Sequence, residues 1–147
     1  MRIVTTLKSA TRRPRRGAAA VEFALILPVL MLLVLGAVDF GRFAYNYIAV
    51  TNAARAGASH GIMNSYSPTG RAAWEGAILA AAREEMNQQT GYEAGGLTVQ
   101  VVTPTPDANG LRRVEVTVRH PFRMITTWPL LPSSVTLQRR VVLRSIR

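Results

Sequence analysis

Residues 15–30 read RRGAAAVEFALILPVL, and within them one carboxylate, Glu22, stands near the start of the longest apolar run in the chain. From Ala18 to Val38 that run covers 21 residues with Glu22 as its only charge. At a rise of about 1.5 Å per residue, a helix of this length is about 30 Å long, the thickness of a bilayer core. A carboxylate in hydrocarbon needs a partner or a route to water. The residues alone leave two readings of Glu22: it lies close enough to the membrane surface to reach water or an arginine such as Arg16, or it is paired within the apolar layer. Pro28 interrupts the middle of the run. It lacks an N–H and removes a helical hydrogen bond, which predicts a kink or local loosening near Ala24.

The flanks orient the segment. The chain has 147 residues and a formal net charge of +10. Six of the 18 basic residues fall in the first sixteen positions, where there is no Asp or Glu, and the remainder is milder, twelve basic against eight acidic. Arg12, Arg13, Arg15 and Arg16 therefore read as a topology signal that keeps the N-terminus cytoplasmic and sends the chain after about residue 40 outward. The apolar run is longer than the roughly 7–15 residues of a secretory signal, and Asp39, Phe40 and Arg42 follow it where a small-residue cleavage site would be needed. The TRRPRR stretch is not read as a twin-arginine signal, because Pro14 follows the first pair where apolar residues would continue. The expected organisation is a basic cytoplasmic leader (1–17), a transmembrane helix (18–38) and an extracytoplasmic domain (39–147). With no cysteine, there is no disulfide framework and no thiolate metal site.

Beyond the run, apolar residues at Phe40, Phe43, Tyr47 and Val50 predict that the helix continues as a packing face and ends at Gly61. Ala53, Ala54, Ala56, Gly57 and Ala58 would let another element approach closely. After NSYSPTG, a second helix is expected over about residues 71–89, with Trp74, Ile78, Ala82 and Met86 on one side. Three segments then alternate in polarity: Leu97, Val99 and Val101; Val114, Val116 and Val118; and Val135, Leu137, Val141 and Leu143. With TPTPDANG as the turn between the first two, they predict an antiparallel sheet of about three strands. The fold class is α+β: a long N-terminal transmembrane helix running into a domain with a second helix and a small sheet. Between the second and third strands, HPFRMITTWPLLP carries Phe122, Trp128 and Leu130 in a stretch too long for a tight turn. It is read either as a loop that contacts a partner or the membrane surface, or as the closure of the core.

The ionisable residues point to no catalyst, cofactor or metal. His60 and His120 stand in no metal-ligand spacing, and there is no nucleophile elbow or phosphate-binding glycine loop. Glu84 and Glu85, adjacent on a helix, project about 100° apart and do not form a dyad. His60 is expected near a helix end, close to the terminal carbonyls.

The stretch RRGAAAVEFALILPVLMLLVLGAVDFGRFAYNYIAVTNAARAGASHG, residues 15–61, resembles the TadE-like family, the pseudopilins of tight-adherence (Tad, or Flp) pilus systems. The parts that carry the resemblance are GAAAVEF, the apolar helix containing Pro28, DFGR at its exit and TNAARAGA after it. The resemblance implies that a prepilin peptidase cuts after Gly17 and leaves Ala18 as the new N-terminus. Glu22, beside Phe23, would then pair with the amino terminus of its own or a neighbouring subunit during assembly. The sequence departs from many major type IV pilins, which begin their mature chain with a bulky apolar residue where this chain has Ala18. The partners implied are the prepilin peptidase, other pilins or pseudopilins, pilus assembly proteins and the lipid bilayer, at a bacterial inner membrane. Two other classes compete. One is an unprocessed single-pass anchored binding module, with Arg12 to Arg16 on anionic headgroups. The other is a nucleic-acid binder, for which only nonspecific, leader-dependent binding is expected, since no recognition motif accompanies the charge.

Overall fold

The computed structural model describes residues 16–64, 66–88, 96–106, 111–128 and 131–144. In chain order the elements are α1 (Arg16–Met63), α2 (Arg71–Asn87), β1 (Thr98–Pro106), β2 (Arg112–Arg123) and β3 (Ser134–Arg144). The protein is α+β, with the long apolar helix, second helix and three-stranded antiparallel sheet that the sequence predicts. It divides into two compact units, Met1–Gly36 and Ala37–Arg147.

The described part of the first unit is helix. Leucine and alanine dominate it and lose little rotamer freedom in that conformation. Pro28 lies inside the helix, which continues on both sides of it. No residue of the most apolar window, of mean hydropathy 2.6, is buried within the chain. A buried core helix would hide such a surface from water, so this one suits lipid as its solvent.

In the second unit, α1 lays its small residues against α2 and the sheet. Asp39, Phe43, Val50, Ala53, Gly57 and Gly61 recur at spacings of four, seven, three, four and four, which keeps them on one face. Ala49, Val50, Ala53, Ala54 and Ala58 are buried there. Of the stripe expected through Phe40, Phe43, Tyr47 and Val50, Phe43 and Val50 lie on this face, while Phe40 is 72% exposed and Tyr47 is also exposed. A shift of one residue turns a helix by about 100°, enough to move Phe40 off the core face and bring Asp39 onto it.

The helix also runs past its expected stop. Gly61 lies within α1, and the end falls at Met63, where Asn64 donates both its backbone N–H (3.1 Å) and its side-chain amide (2.8 Å) to the His60 carbonyl. Gly61 instead allows close packing: a Cβ there would lie 2.8 Å from Ile78 Cδ1, 3.0 Å from Val114 Cγ1 and 3.2 Å from Trp74 Cζ2. The face expected for α2 is the buried one, with Trp74, Ile78, Ala82 and Met86 all in the core.

The sheet order is β1-β2-β3, antiparallel throughout. Its inner face presents Val114, Val116, Val118, Phe122 and Leu137, with Val99, Val101, Val141 and Leu143 partly buried beside them. β1 extends into the expected turn, as far as Pro106, by means of a register shift between Val102 and Thr105. Prolines are tolerated there because β1 is an edge strand and one side of its backbone needs no ladder donor. β2 also runs longer, pairing Pro121 with Thr136, Phe122 with Val135 and Arg123 with Ser134. On the other edge, Arg139 shares the inward parity of Leu137 and Val141 and donates to the Tyr47 hydroxyl at 3.3 Å. An inward-directed charge on an edge strand discourages pairing with another chain.

Candidate functional site

The residues around the expected processing point lie on the first turns of α1. Gly17 is its second residue, and a Cβ there would meet nothing within 4 Å. Ala18, Glu22 and Phe23 are exposed. Because the helix already includes Gly17, Ala18 and Glu22 are one turn apart on the same face, the spacing at which helix side chains meet. The same geometry requires the first turn to unwind before a protease could take residues 16–18 as an extended substrate. Arg12, Arg13 and Arg15 of the topology signal lie outside the described residues, as does Leu130 of the loop.

Phe122 is a correction. It belongs to β2 rather than to a partner loop, since strand pairing persists to Arg123 and its alternation turns Phe122 inward, leaving it 3% exposed. Its ring meets Phe43 edge-on at 5.6 Å, and the Arg42 guanidinium lies over it at 5.5 Å from the ring centre. Trp128 is partly buried; of the remaining apolar loop residues, Met124 packs against the core while Ile125 and Leu131 are exposed.

Asp39 is the residue that sequence reasoning passed over. It is 6% exposed, and its carboxylate accepts the Ile125 N–H at 2.9 Å, the Thr126 N–H at 3.1 Å and the Trp128 Nε1–H at 3.3 Å. Arg42 Nη1 approaches it at 3.5 Å from one turn along the helix. These contacts make Asp39 the anchor of the β2–β3 loop. The Ile125 N–H is the main influence holding its carboxyl below the usual range; burial opposes this, while Thr126, Trp128 and Arg42 reinforce it. The available signal was the phase of the apolar face, which puts Asp39 in line with Phe43 and Val50.

Asp39→Asn keeps the size of the side chain but replaces one acceptor oxygen with a donor facing N–H groups. We expect hydrogen-exchange protection of the Ile125 and Thr126 amides to fall by about tenfold, roughly the value of one ordinary hydrogen bond. Acidification should act in the same direction. A depressed folded-state pKa stabilises the docked loop fully above the unfolded value of about 3.9, and this support is lost as pH falls through the lower folded value. Unchanged protection in both experiments would remove Asp39 as the anchor.

Among the described residues, no group of three or more His, Cys, Asp or Glu could hold a metal ion. What the geometry defines is an α+β domain on an exposed N-terminal helix that is long and apolar enough to cross a membrane. Residues 17–59 match the family model described as TadE-like protein, which bears out the resemblance over the helix that carries it. No curated protein and no solved structure matches the chain. The family match and the apolar helix together fit a membrane-anchored component of a Tad pilus system.

Proposed function

We propose that the protein is a pseudopilin or minor pilin-like component of a tight-adherence pilus assembly or secretion system. In this reading it inserts in the bacterial inner membrane with residues 1–17 cytoplasmic, and a prepilin peptidase cuts after Gly17. The outer domain faces the periplasm, where it meets other pilins or assembly proteins. The observation that carries the reading is the placement of Ala18 and Glu22 one turn apart on an exposed apolar helix within the TadE-like match. Cleavage would create an ammonium at Ala18, and in a low-dielectric layer Glu22 is its natural counter-charge, on the same chain or a neighbour. A carboxylate one turn from the start of the shortened helix would also lie towards the positive end of the helix dipole.

The test is the intact mass and N-terminal sequence of the membrane-extracted protein, from cells with and without a co-expressed prepilin peptidase. The expected result is a chain beginning at Ala18 only when the peptidase is present, and none from Gly17→Leu. Glu22→Gln should be cut normally. Its recovery in assemblies with partner pilins should nevertheless fall by about tenfold or more, as when one partner of a desolvated ion pair is removed. A chain that keeps Arg12 to Gly17 in both cells would make the protein an unprocessed anchored module and end this account of Glu22.

A further inference from the structure

The loop between β2 and β3 has a composition and position that the assembly reading does not use. Its neck is closed by the Met124 N–H donating to the Ser133 carbonyl at 3.1 Å, and the Leu131 N–H donates to the Trp128 carbonyl at 3.3 Å. The ten residues from Met124 to Ser133, MITTWPLLPS, include no charge. Ile125 is 64% exposed and Leu131 57% exposed. Loops normally show polar residues to water, so two large aliphatic side chains on one uncharged loop call for an apolar neighbour.

Chain continuity indicates what that neighbour is. Asp39 directly follows Val38, the last residue of the apolar run. The Ile125 N–H donates to the Asp39 carboxylate, so the exposed end of the loop lies within one hydrogen bond of the first residue past the span. Phe40, next along the helix, is the strongly exposed aromatic described above. Arg42 has a side chain 44% exposed and donates to the carbonyl of Arg123, itself exposed, at 3.4 Å. Phe40 and Arg42 thus lie within four positions of the end of the apolar run, and Ile125 and Arg123 are each joined by one backbone hydrogen bond to Asp39 or Arg42. The adjacent acid, Asp39, is already engaged by the loop.

We infer that this loop, with Phe40, Arg42 and Arg123, seats on the lipid surface around the membrane helix. Ile125 and Leu131 enter the boundary between headgroups and acyl chains, and the guanidiniums meet lipid phosphates. The chemistry fits on both counts: apolar side chains at an interface bury about 5–10 Å below the headgroup level, and guanidinium matches phosphate oxygens in a bidentate manner. Asp39 then serves to hold the loop at membrane depth, and the outer domain is tied to the bilayer at a second point besides its helix. This rests on the membrane-anchor part of the proposed function and not on processing.

The absence of native cysteine allows clean single-site labelling. Full-length Leu30→Cys, Ile125→Cys and Gln138→Cys proteins, each carrying an environment-sensitive fluorophore, are reconstituted into phosphatidylcholine–phosphatidylglycerol vesicles containing doxyl lipids with shallow or deep spin labels. Gln138 is the control, exposed on the solvent face of β3. The expected result is deep-label quenching at Leu30, shallow-label quenching at Ile125 at least about twofold above that at Gln138, and loss of that excess in Asp39→Asn with Leu30 unchanged. If Leu30 is quenched and Ile125 behaves like Gln138, the loop inference falls while the anchor stands. If Leu30 is not quenched either, the anchor reading itself fails. An Ile125 label shielded from both lipid quenchers and aqueous iodide would show that protein covers the loop, and would overturn the inference.

Discussion

Trp74→Ala is expected to lower the unfolding free energy of the outer unit by about 3–5 kcal/mol, the usual cost of emptying a buried indole site. Trp74 is 6% exposed, and its ring meets Tyr66 edge-on at 5.3 Å. Its Nε1–H also donates to the Gly61 carbonyl at 3.2 Å. That carbonyl belongs to the last turn of α1, where the final four C=O groups have no partner within the helix. Trp74 is therefore both a core residue and a side-chain cap on α1, and alanine loses both functions at once. Trp74→Phe separates them: it keeps most of the packing and drops the hydrogen bond, so about 1 kcal/mol is expected. Urea unfolding of the full chain in detergent, followed through Trp128, measures the series. With slopes of about 1–3 kcal/mol per molar urea, the alanine variant should lose at least about 1 M in midpoint. A phenylalanine variant as damaged as alanine would move the effect from the ring to the cap. An alanine variant within about 1 kcal/mol of the parent would mean the indole is not part of the core.

What could be read from the sequence, and what could not, follows from how each signal arises. The buried face of α2 was legible residue by residue because Trp74, Ile78, Ala82 and Met86 repeat every four positions. The strand faces were legible for the same reason at period two, as in Val114, Val116 and Val118. The face of α1 was harder to phase. Alanine and glycine dominate its core side, while the large residues Phe40, Tyr45 and Ile48 are exposed, so size and hydrophobicity pointed away from the true contact. Lipid and neighbouring molecules compete with the core for such a helix, and a single sequence does not separate their faces. Asp39 was hidden by that error, because its partners are two backbone N–H groups and an indole 86 to 89 residues away. Backbone donors leave no trace in residue identity. At the proposed processing junction, Gly17, Ala18 and Glu22 were singled out through family resemblance, and the structure adds the one-turn spacing of Ala18 and Glu22 on a formed helix.

Gly61 should tolerate large side chains poorly, for a reason visible only in packing. Glycine inside a helix costs about 1 kcal/mol relative to alanine, so a residue that serves as neither cap nor turn must be offset by what its missing side chain permits. Here that is contact: the position of its absent Cβ is 2.8 Å from Ile78 Cδ1 and 3.0 Å from Val114 Cγ1. Gly61→Leu has no room for its further carbons and should unfold the outer unit or lower its stability by about 3 kcal/mol or more, at the upper end of overpacking costs. Gly61→Ala is milder because the closest atom is the end of the Ile78 side chain, which can turn. The gain in helix propensity offsets part of the strain. The decisive variant combines Gly61→Ala with Ile78→Val, which deletes the Cδ1 methyl that blocks the new Cβ. Ile78→Val alone leaves a small void and should cost about 0.5–1.5 kcal/mol. Placed together, the added methyl fills space that the removed one vacates, so the double variant should be more stable than the sum of the two singles predicts by about 1 kcal/mol. Couplings of that size are ordinary for side chains in contact. Strict additivity in the urea midpoints would show that Gly61 and Ile78 do not share this space, and the packing account of the glycine would have to be abandoned.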